Sequence, residues 1–268
     1  MKRIFIVGVA RSGTTLLQSM LASHPQIHTF PETHFLDTTI PKQKWLQYFN
    51  FIGKKENEFV SSFLNSIDSK QKYKPLYTVS NFKWVKHLLG ILDEEALSYE
   101  KNIWVEKTPL HLHYIKLLSL VDKEVCFIHI LREGKDNISS LFEAAQNNPD
   151  SFQQNTLAKS IHRYKTEISI SSKYKKIPNH YFVRYENLVT DCENELKKIF
   201  AKLGVEYKKE VLDYKKIVNR IVKEKEVWKN KNTQELSLSN KFDKMFSKKE
   251  KDYILNSIKD VDLTIFDD

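Results

Sequence analysis

Four short apolar runs, each followed by a segment of helical period, constrain this chain more than any other feature. The first, Arg3-Ile-Phe-Ile-Val-Gly8, is apolar and β-branched, as a strand buried on both faces requires. Beyond Gly13, Leu16, Leu17, Met20 and Leu21 recur on one helical face until His24-Pro25 ends the pattern. The second run, Ile103-Trp-Val105, leads into Thr108-Pro109, where Thr suits a cap and Pro the first helical position, ahead of a stripe of Tyr114, Ile115, Leu117 and Leu118. The third, Val125 to Leu131, precedes Arg132-Glu-Gly134 and a helix carrying Ile138, Leu141, Phe142 and Ala145. The fourth, His180-Tyr-Phe-Val183, passes through Tyr185 to Thr190-Asp-Cys-Glu193, a capping-box spacing, and a helix of Leu196, Ile199, Phe200 and Leu203 stopped by Gly204. Strands alternating with helices predict an α/β fold, a central parallel sheet flanked by helices, with ligands at the carboxyl ends of the strands.

The 268 residues suit a single domain, and no Gly/Ser/Pro linker divides them. Residues 35 to about 100 interrupt the alternation with Lys- and aromatic-rich, mostly helical-looking sequence that includes Trp45, Phe49, Phe59, Phe63 and Trp84, and read as an insertion over the site. From Lys208 to Lys231 nine basic residues face four acidic ones without a hydrophobic period, which reads as a solvated helical face. The apolar run Ile4 to Ala10 stops at Arg11, too short for a membrane span or a signal sequence. Cys126 and Cys192 make neither a disulfide framework nor a metal cluster, so a soluble protein in the reducing cytoplasm is expected. The net charge of +9 favours an anionic partner without choosing among nucleic acid, nucleotide and other anions. No feature of the sequence specifies an oligomer.

The segment Gly8-Val-Ala-Arg-Ser-Gly13-Thr-Thr15 matches G-x-x-x-x-G-x-[ST] between a strand and a helix, where backbone N–H groups and the helix dipole cradle an anion. Ser12, Thr14 and Thr15 add hydroxyl donors. The Lys that nucleoside triphosphatases place after the second Gly is Thr14 here, and the nearest cation is Arg11. The Val125 to Leu131 strand ends in Arg132, where a Mg²⁺ site wants an acid, and Asp136 follows only four residues later. These residues predict a site for a phosphate-bearing nucleotide that requires no metal. An Arg closing a buried strand is costly without an anion to meet it.

The same residues resemble the sulfotransferases that use 3'-phosphoadenosine 5'-phosphosulfate (PAPS), most closely their tyrosylprotein-sulfotransferase-like branch. Arg11-Ser-Gly-Thr-Thr-Leu16 is similar to the family's 5'-phosphosulfate loop, and Pro31-Glu-Thr33, following His24-Pro25, to the branch segment whose glutamate is the catalytic base. Arg132 with Ser140 resembles the pair that grips the 3'-phosphate, Arg184-Tyr-Glu-Asn-Leu188 the motif whose tyrosine contacts adenosine, and Glu106-Lys-Thr-Pro109 the segment with a transition-state lysine. Trp228-Lys229 and Lys241-Phe242 resemble a weaker late cofactor loop. The likeness spans roughly residues 3 to 34 and 103 to 245. It departs from the branch at Ala144, where a second Arg is usual, and at Glu226, where a transition-state Ser is usual, and the amino-terminal anchor of members that modify secreted proteins is not expected, which disfavours a secreted-protein substrate.

The resemblance implies a P-loop-like sulfotransferase with catalytic residues Glu32, Lys107 and Arg11. It implies that Arg11, Ser12, Gly13, Thr14, Thr15, Arg132, Ser140, Tyr185 and Lys241 hold PAPS and its product adenosine 3',5'-bisphosphate (PAP). Sulfuryl transfer needs a base for the acceptor proton, a cation for the departing oxygen and in-line positioning, and those residues are of the right types. His34, His111 and His113 are alternative bases, since histidine has a suitable pKa. The expected partners are the nucleotide and a hydroxyl or phenol acceptor on a small molecule, glycan or peptide tyrosine. A nucleotide or sugar kinase is the first rival reading. A nucleic-acid binder is the second, opposed by the lack of a recognisable module.

Overall fold

The computed structural model describes residues 1–43, 45–149, 156–215, 217 and 240–267. Its centre is a five-stranded parallel sheet in the order β2-β5-β1-β6-β7, formed by β1 (Lys2–Gly8), β2 (Ile27–Thr29), β5 (Ile103–Lys107), β6 (Cys126–Leu131) and β7 (His180–Arg184). β1 takes the middle position, pairing Ile4 with Val105 on one side and Cys126 on the other. Its run from Ile4 to Val7 is fully enclosed, which explains why the sequence there is apolar without alternation. Because every pairing in this sheet is parallel, the ends of β1, β5, β6 and β7 open on one edge.

Helices α1 (Thr14–Ala22) and α9 (Cys192–Leu203) cover one face, burying Leu17, Met20, Leu196 and Phe200 against Ile4, Ile6 and Ile128. The other face carries α4 (Asn81–Ser98) and α5 (Ile115–Val121), whose Trp84, Leu88 and Leu118 join Phe5, Trp104 and Phe127. A third cluster gathers Ile138 of α6 (Gly134–Asn147), Tyr164 of α7 (Leu157–Ser172) and Phe242 of α10 (Lys241–Met245) around Leu131, with Ile254 of α11 (Lys248–Ile258) beside them.

Several local expectations are corrected. Residues 35–100 are mostly helical as expected, in α2 (Phe35–Thr39), α3 (Lys54–Ser66) and α4, but they also form an antiparallel pair that the helical expectation lacks, β3 (Phe49–Ile52) with β4 (Thr78–Ser80). Phe63 and Trp84 are core residues, whereas Trp45 and Phe49 lie on the surface. The Thr190 to Glu193 capping box does not form, because α8 (Tyr185–Thr190) reaches Thr190 and its hydroxyl donates to the Glu186 carbonyl at 2.9 Å. Asp191 stands at the start of α9 instead, without a side-chain cap, while Glu193 pairs with Lys197. Thr108 is likewise no side-chain cap of the 3-10 turn Pro109–Tyr114, since its hydroxyl donates to Glu106 at 2.5 Å. Most of the basic stretch from Lys208 to Lys231, with Glu226, Trp228 and Lys229, lies outside the described residues. No described helix is long and apolar enough to cross a membrane.

Candidate active site

At the sheet's open edge, β1 ends in Gly8 and turns through a tight loop into α1. Gly8 (φ 144°) and Gly13 (φ 93°) take backbone conformations that L side chains rarely adopt, and each is also crowded. A Cβ on Gly8 would stand 2.5 Å from the Ile130 carbonyl oxygen, and one on Gly13 would stand 2.4 Å from the Tyr185 ring. Arg11 between them also has positive φ (71°), an uncommon state for a side chain of its size. No side chain caps the amino terminus of α1, so the amide dipoles of its first turn keep their anion-attracting end.

Arg132, on the turn from β6 to α6, braces this loop. Its Nη1 donates to the Arg11 carbonyl at 2.9 Å, and its guanidinium lies 4.4 Å from the centre of the Tyr185 ring, a cation–π contact. Arg132 is 7% exposed and its buried Nε has no hydrogen-bond partner. The Arg11 Nε reaches Ser140 Oγ at 3.4 Å, so Ser140, off the apolar stripe of α6, faces the loop. Burial and the nearby Arg132 charge lower the Arg11 pKa, while Glu143 and Glu32 oppose that shift. Two guanidinium groups this close, one with an unused inward donor, form a place where an anion is stabilised. Lys241 pairs with Glu143, one turn beyond Ser140 on α6. Ser12, Thr14 and Thr15 are all buried at the loop.

Asn137 was not legible as a site residue. Its amide nitrogen donates to the Ala10 carbonyl at 3.1 Å and to Ser12 Oγ at 2.8 Å, tying α6 to the loop. It lies five residues after Arg132, and only the turn of a helix start brings the two to one loop.

The second cluster sits where β5 ends. Lys107, 1% exposed, forms an ion pair with Glu32. The other carboxylate oxygen of Glu32 lies 3.2 Å from His34 Nε2, and His34 Nδ1 lies 3.0 Å from Asp37. Asp37 is 3.5 Å from His111 Nε2, and His111 Nδ1 is 2.9 Å from Glu106. Glu106, fully buried on β5, also accepts from the hydroxyls of Thr33 at 3.0 Å and Thr108 at 2.5 Å. Acidic and basic groups thus alternate from Lys107 to Glu106, each histidine between two carboxylates. Burial alone would lower both histidine pKa values, but Asp37 and Glu32 raise His34 to about 10, and Glu106 and Asp37 raise His111 to about 9. Conversely, despite burial, the histidines hold Asp37 and Glu106 below the ordinary carboxylate range.

Of the alternative bases, then, His34 and His111 are partners of acids at or behind Glu32, whereas His113 stands apart, 3.8 Å from Glu167. Glu32 is also one of the charges acting on Arg11, which links the two clusters electrostatically. Among the described residues there is no group of three or more His, Cys, Asp or Glu side chains that could hold a metal ion.

The model of the sulfotransferase family matches residues 3–209. The chain belongs to the sulfotransferase family. No curated protein matches this sulfotransferase at a significant level. Among solved structures, the sulfotransferase domain from the Synechococcus PCC 7002 olefin synthase is similar with a TM-score of 0.64 and 17% identity, over 98% of this chain and 96% of that one. The sulfotransferase domain from the curacin biosynthetic pathway gives 0.59 and 16%, over 96% and 97%. Mouse sulfotransferase SULT7A1 complexed with PAP gives 0.56 and 16%, over 98% and 85%. At these identities the likeness is one of fold: a central parallel sheet flanked by helices, on which this sulfotransferase sets its own two clusters.

Proposed function

We propose that this sulfotransferase, as a single P-loop-like domain, moves the sulfuryl group of PAPS to a hydroxyl or phenol and releases PAP. The observation that carries the reading is the meeting of Arg11 and Arg132 at the strand ends, with a buried Arg132 Nε still unpartnered. In this reading the loop amides, Ser12, Thr14 and Thr15 hold the 5' end of the nucleotide. Arg132 and Ser140 hold its 3'-phosphate, and Tyr185, backed by Gly13 and Arg132, offers its ring to the adenosine. Lys241 contributes from the start of α10, beside Glu143 of α6. The presence of PAP in the mouse relative of the same fold supports this choice of nucleotide. PAPS supplies an activated sulfuryl group whose bond to the phosphate oxygen breaks as the acceptor oxygen bonds to sulfur.

Glu32 takes the proton from the acceptor hydroxyl. Its ion pair with Lys107 gives this step a second consequence. Once protonated, Glu32 no longer holds the ammonium group, and Lys107 is released to stabilise the charge developing on the departing phosphate oxygen. His34, kept protonated by Asp37, fixes the other oxygen of Glu32 and orients the carboxylate. Arg11 stabilises the sulfuryl oxygens in transit. Of the stretch 35–100, α2 begins directly after this base and borders the acceptor side.

The resemblance of Pro31-Glu-Thr33 and Arg184-Tyr-Glu-Asn-Leu188 to the tyrosylprotein-sulfotransferase-like branch favours a base of the glutamate type. The acceptor class then spans small molecules, glycans and peptide tyrosine. Two free cysteines, Cys126 and Cys192, fit a cytoplasmic setting. The decisive experiment replaces Glu32 by Gln: transfer from PAPS to a phenolic acceptor should be lost while PAP binding stays near wild type. Full activity in Glu32→Gln would falsify the assignment of the base.

A further inference from the structure

Among the described residues, the five most exposed large hydrophobic side chains are Trp45 (74%), Phe51 (72%), Phe49 (68%), Tyr77 (63%) and Val79 (62%), and all five belong to one place. Phe49 pairs with Ser80 and Ile52 with Thr78 across the antiparallel strands, with a register shift between the two pairs. Phe49 and Phe51 on β3, Val79 on β4 and Tyr77 just before β4 are all exposed, and together they make the apolar outer surface of the hairpin. The opposite face is sealed: Ile52 is fully buried, and Asn81, also fully buried, donates to the Leu46 and Gln47 carbonyls at 3.1 Å. Trp45 lies just before this anchored turn. The apolar face is therefore held outward by a fixed frame.

Its surroundings are basic. From Lys42 to Lys86 the sequence holds nine lysines against Glu56, Glu58 and Asp68, and no arginine. Lys42, Lys54, Lys55, Lys72, Lys74 and Lys83 are exposed.

We propose that this hairpin face docks the protein on a bilayer bearing anionic lipid headgroups. Protruding aromatic rings, flanked in sequence by exposed lysines able to pair with anionic headgroups, are the physical pattern of a protein lying on a membrane without crossing it. A second copy of this chain fits poorly, because a two-fold contact would bring two lysine-rich segments together. Single-stranded nucleic acid fits less well than lipid. The surface made by Phe49, Phe51, Tyr77 and Val79 carries no guanidinium or amide to hold a base, and Val79 offers no ring to stack on one. Docking here adjoins the catalytic edge, since Asn50 donates to the Thr39 carbonyl of α2 at 3.2 Å and α2 carries Asp37. The proposal does not depend on the reaction assigned above.

The test is sedimentation of the full chain with vesicles of phosphatidylcholine alone and of an equal mixture with phosphatidylglycerol. Binding to the mixed vesicles, release by high salt and little binding to phosphatidylcholine are expected. Phe49→Ser with Phe51→Ser, both surface changes whose folding is checked by an unchanged thermal melt, should weaken partitioning about tenfold or more. Three results would overturn the proposal: no binding to either vesicle, equal binding by the double variant, or loss in that variant of self-association or oligonucleotide binding where vesicle binding is absent.

Discussion

Replacing Arg132 by Ala separates two jobs that the side chain performs. One is structural: its Nη1 bond to the Arg11 carbonyl and its contact with the Tyr185 ring shape the loop for any adenine nucleotide. Losing a charge-assisted hydrogen bond costs about 1.5–3 kcal/mol, and losing a buried cation–π contact about 1–2 kcal/mol. These losses fall on adenosine 5'-phosphate and PAP alike. The other job is the proposed grip on the 3'-phosphate through the unpartnered Nε and a second guanidinium donor. Two charge-assisted bonds at about 1.5–3 kcal/mol each amount to roughly 3–6 kcal/mol that only PAP can lose, a factor of at least about a hundred in Kd. Calorimetric titration of wild type and Arg132→Ala with both nucleotides gives the double difference, in which the structural share cancels. Equal loss for the two nucleotides would refute the 3'-phosphate assignment, however large each loss proved to be.

Two further outcomes follow from the same geometry. In Gly13→Ala the new Cβ would meet the Tyr185 ring at 2.4 Å in a backbone with φ of 93°, so the ring or the loop must shift. PAP affinity should fall by about tenfold or more, for about 1–2 kcal/mol of left-handed strain alone, while the melting temperature drops by a few degrees; undiminished PAP binding would show that the turn is not shaped for the nucleotide. Folding stability should peak near pH 6.5 and decline on both sides, measured by urea unfolding between pH 4 and 10. The buried pair His129 and His180, 2.9 Å apart, refuses protons that the unfolded chain accepts below about pH 6.5. With His180 lowered to about 4, stability is lost on acidification at up to roughly 1 kcal/mol per pH unit for each histidine. His34 and His111, raised to about 10 and about 9, contribute fully below about pH 6.5, and their contribution is lost as pH rises through those values. A stability that climbed steadily to pH 9 would contradict the ion-paired state of His34 and His111.

The sheet was legible where burial on both faces forced an apolar run, as in β1, β6 and the first three residues of β5, and at the edge strand β7 through its short β-branched and aromatic run. It was not legible at β2, three residues on an edge with His28 and Thr29 half-buried, nor at β3 and β4, whose outward rings carry no alternation that marks a core face. α4 read as part of an insertion because its sequence does not reveal that Trp84 and Leu88 complete the core beneath Phe5. Within the site, residues joined by local spacing, such as Gly8 to Thr15 or Arg132 to Ser140, could be singled out. Contacts made only through the sheet could not. Glu106 and His111 meet Thr33 and Asp37 across more than 70 positions, and Asn137 reaches Ser12 across 125. A fully buried glutamate in a strand gives no advance sign that its charge is balanced from another element.

The measurement closest to the centre of the account is binding of PAP to the wild-type chain in the presence of a metal chelator, set against ATP with Mg²⁺. The account predicts tight stoichiometric PAP binding that the chelator leaves unchanged, with ATP and Mg²⁺ much weaker. Preference for ATP with Mg²⁺, or PAP binding that the chelator removes, would contradict it.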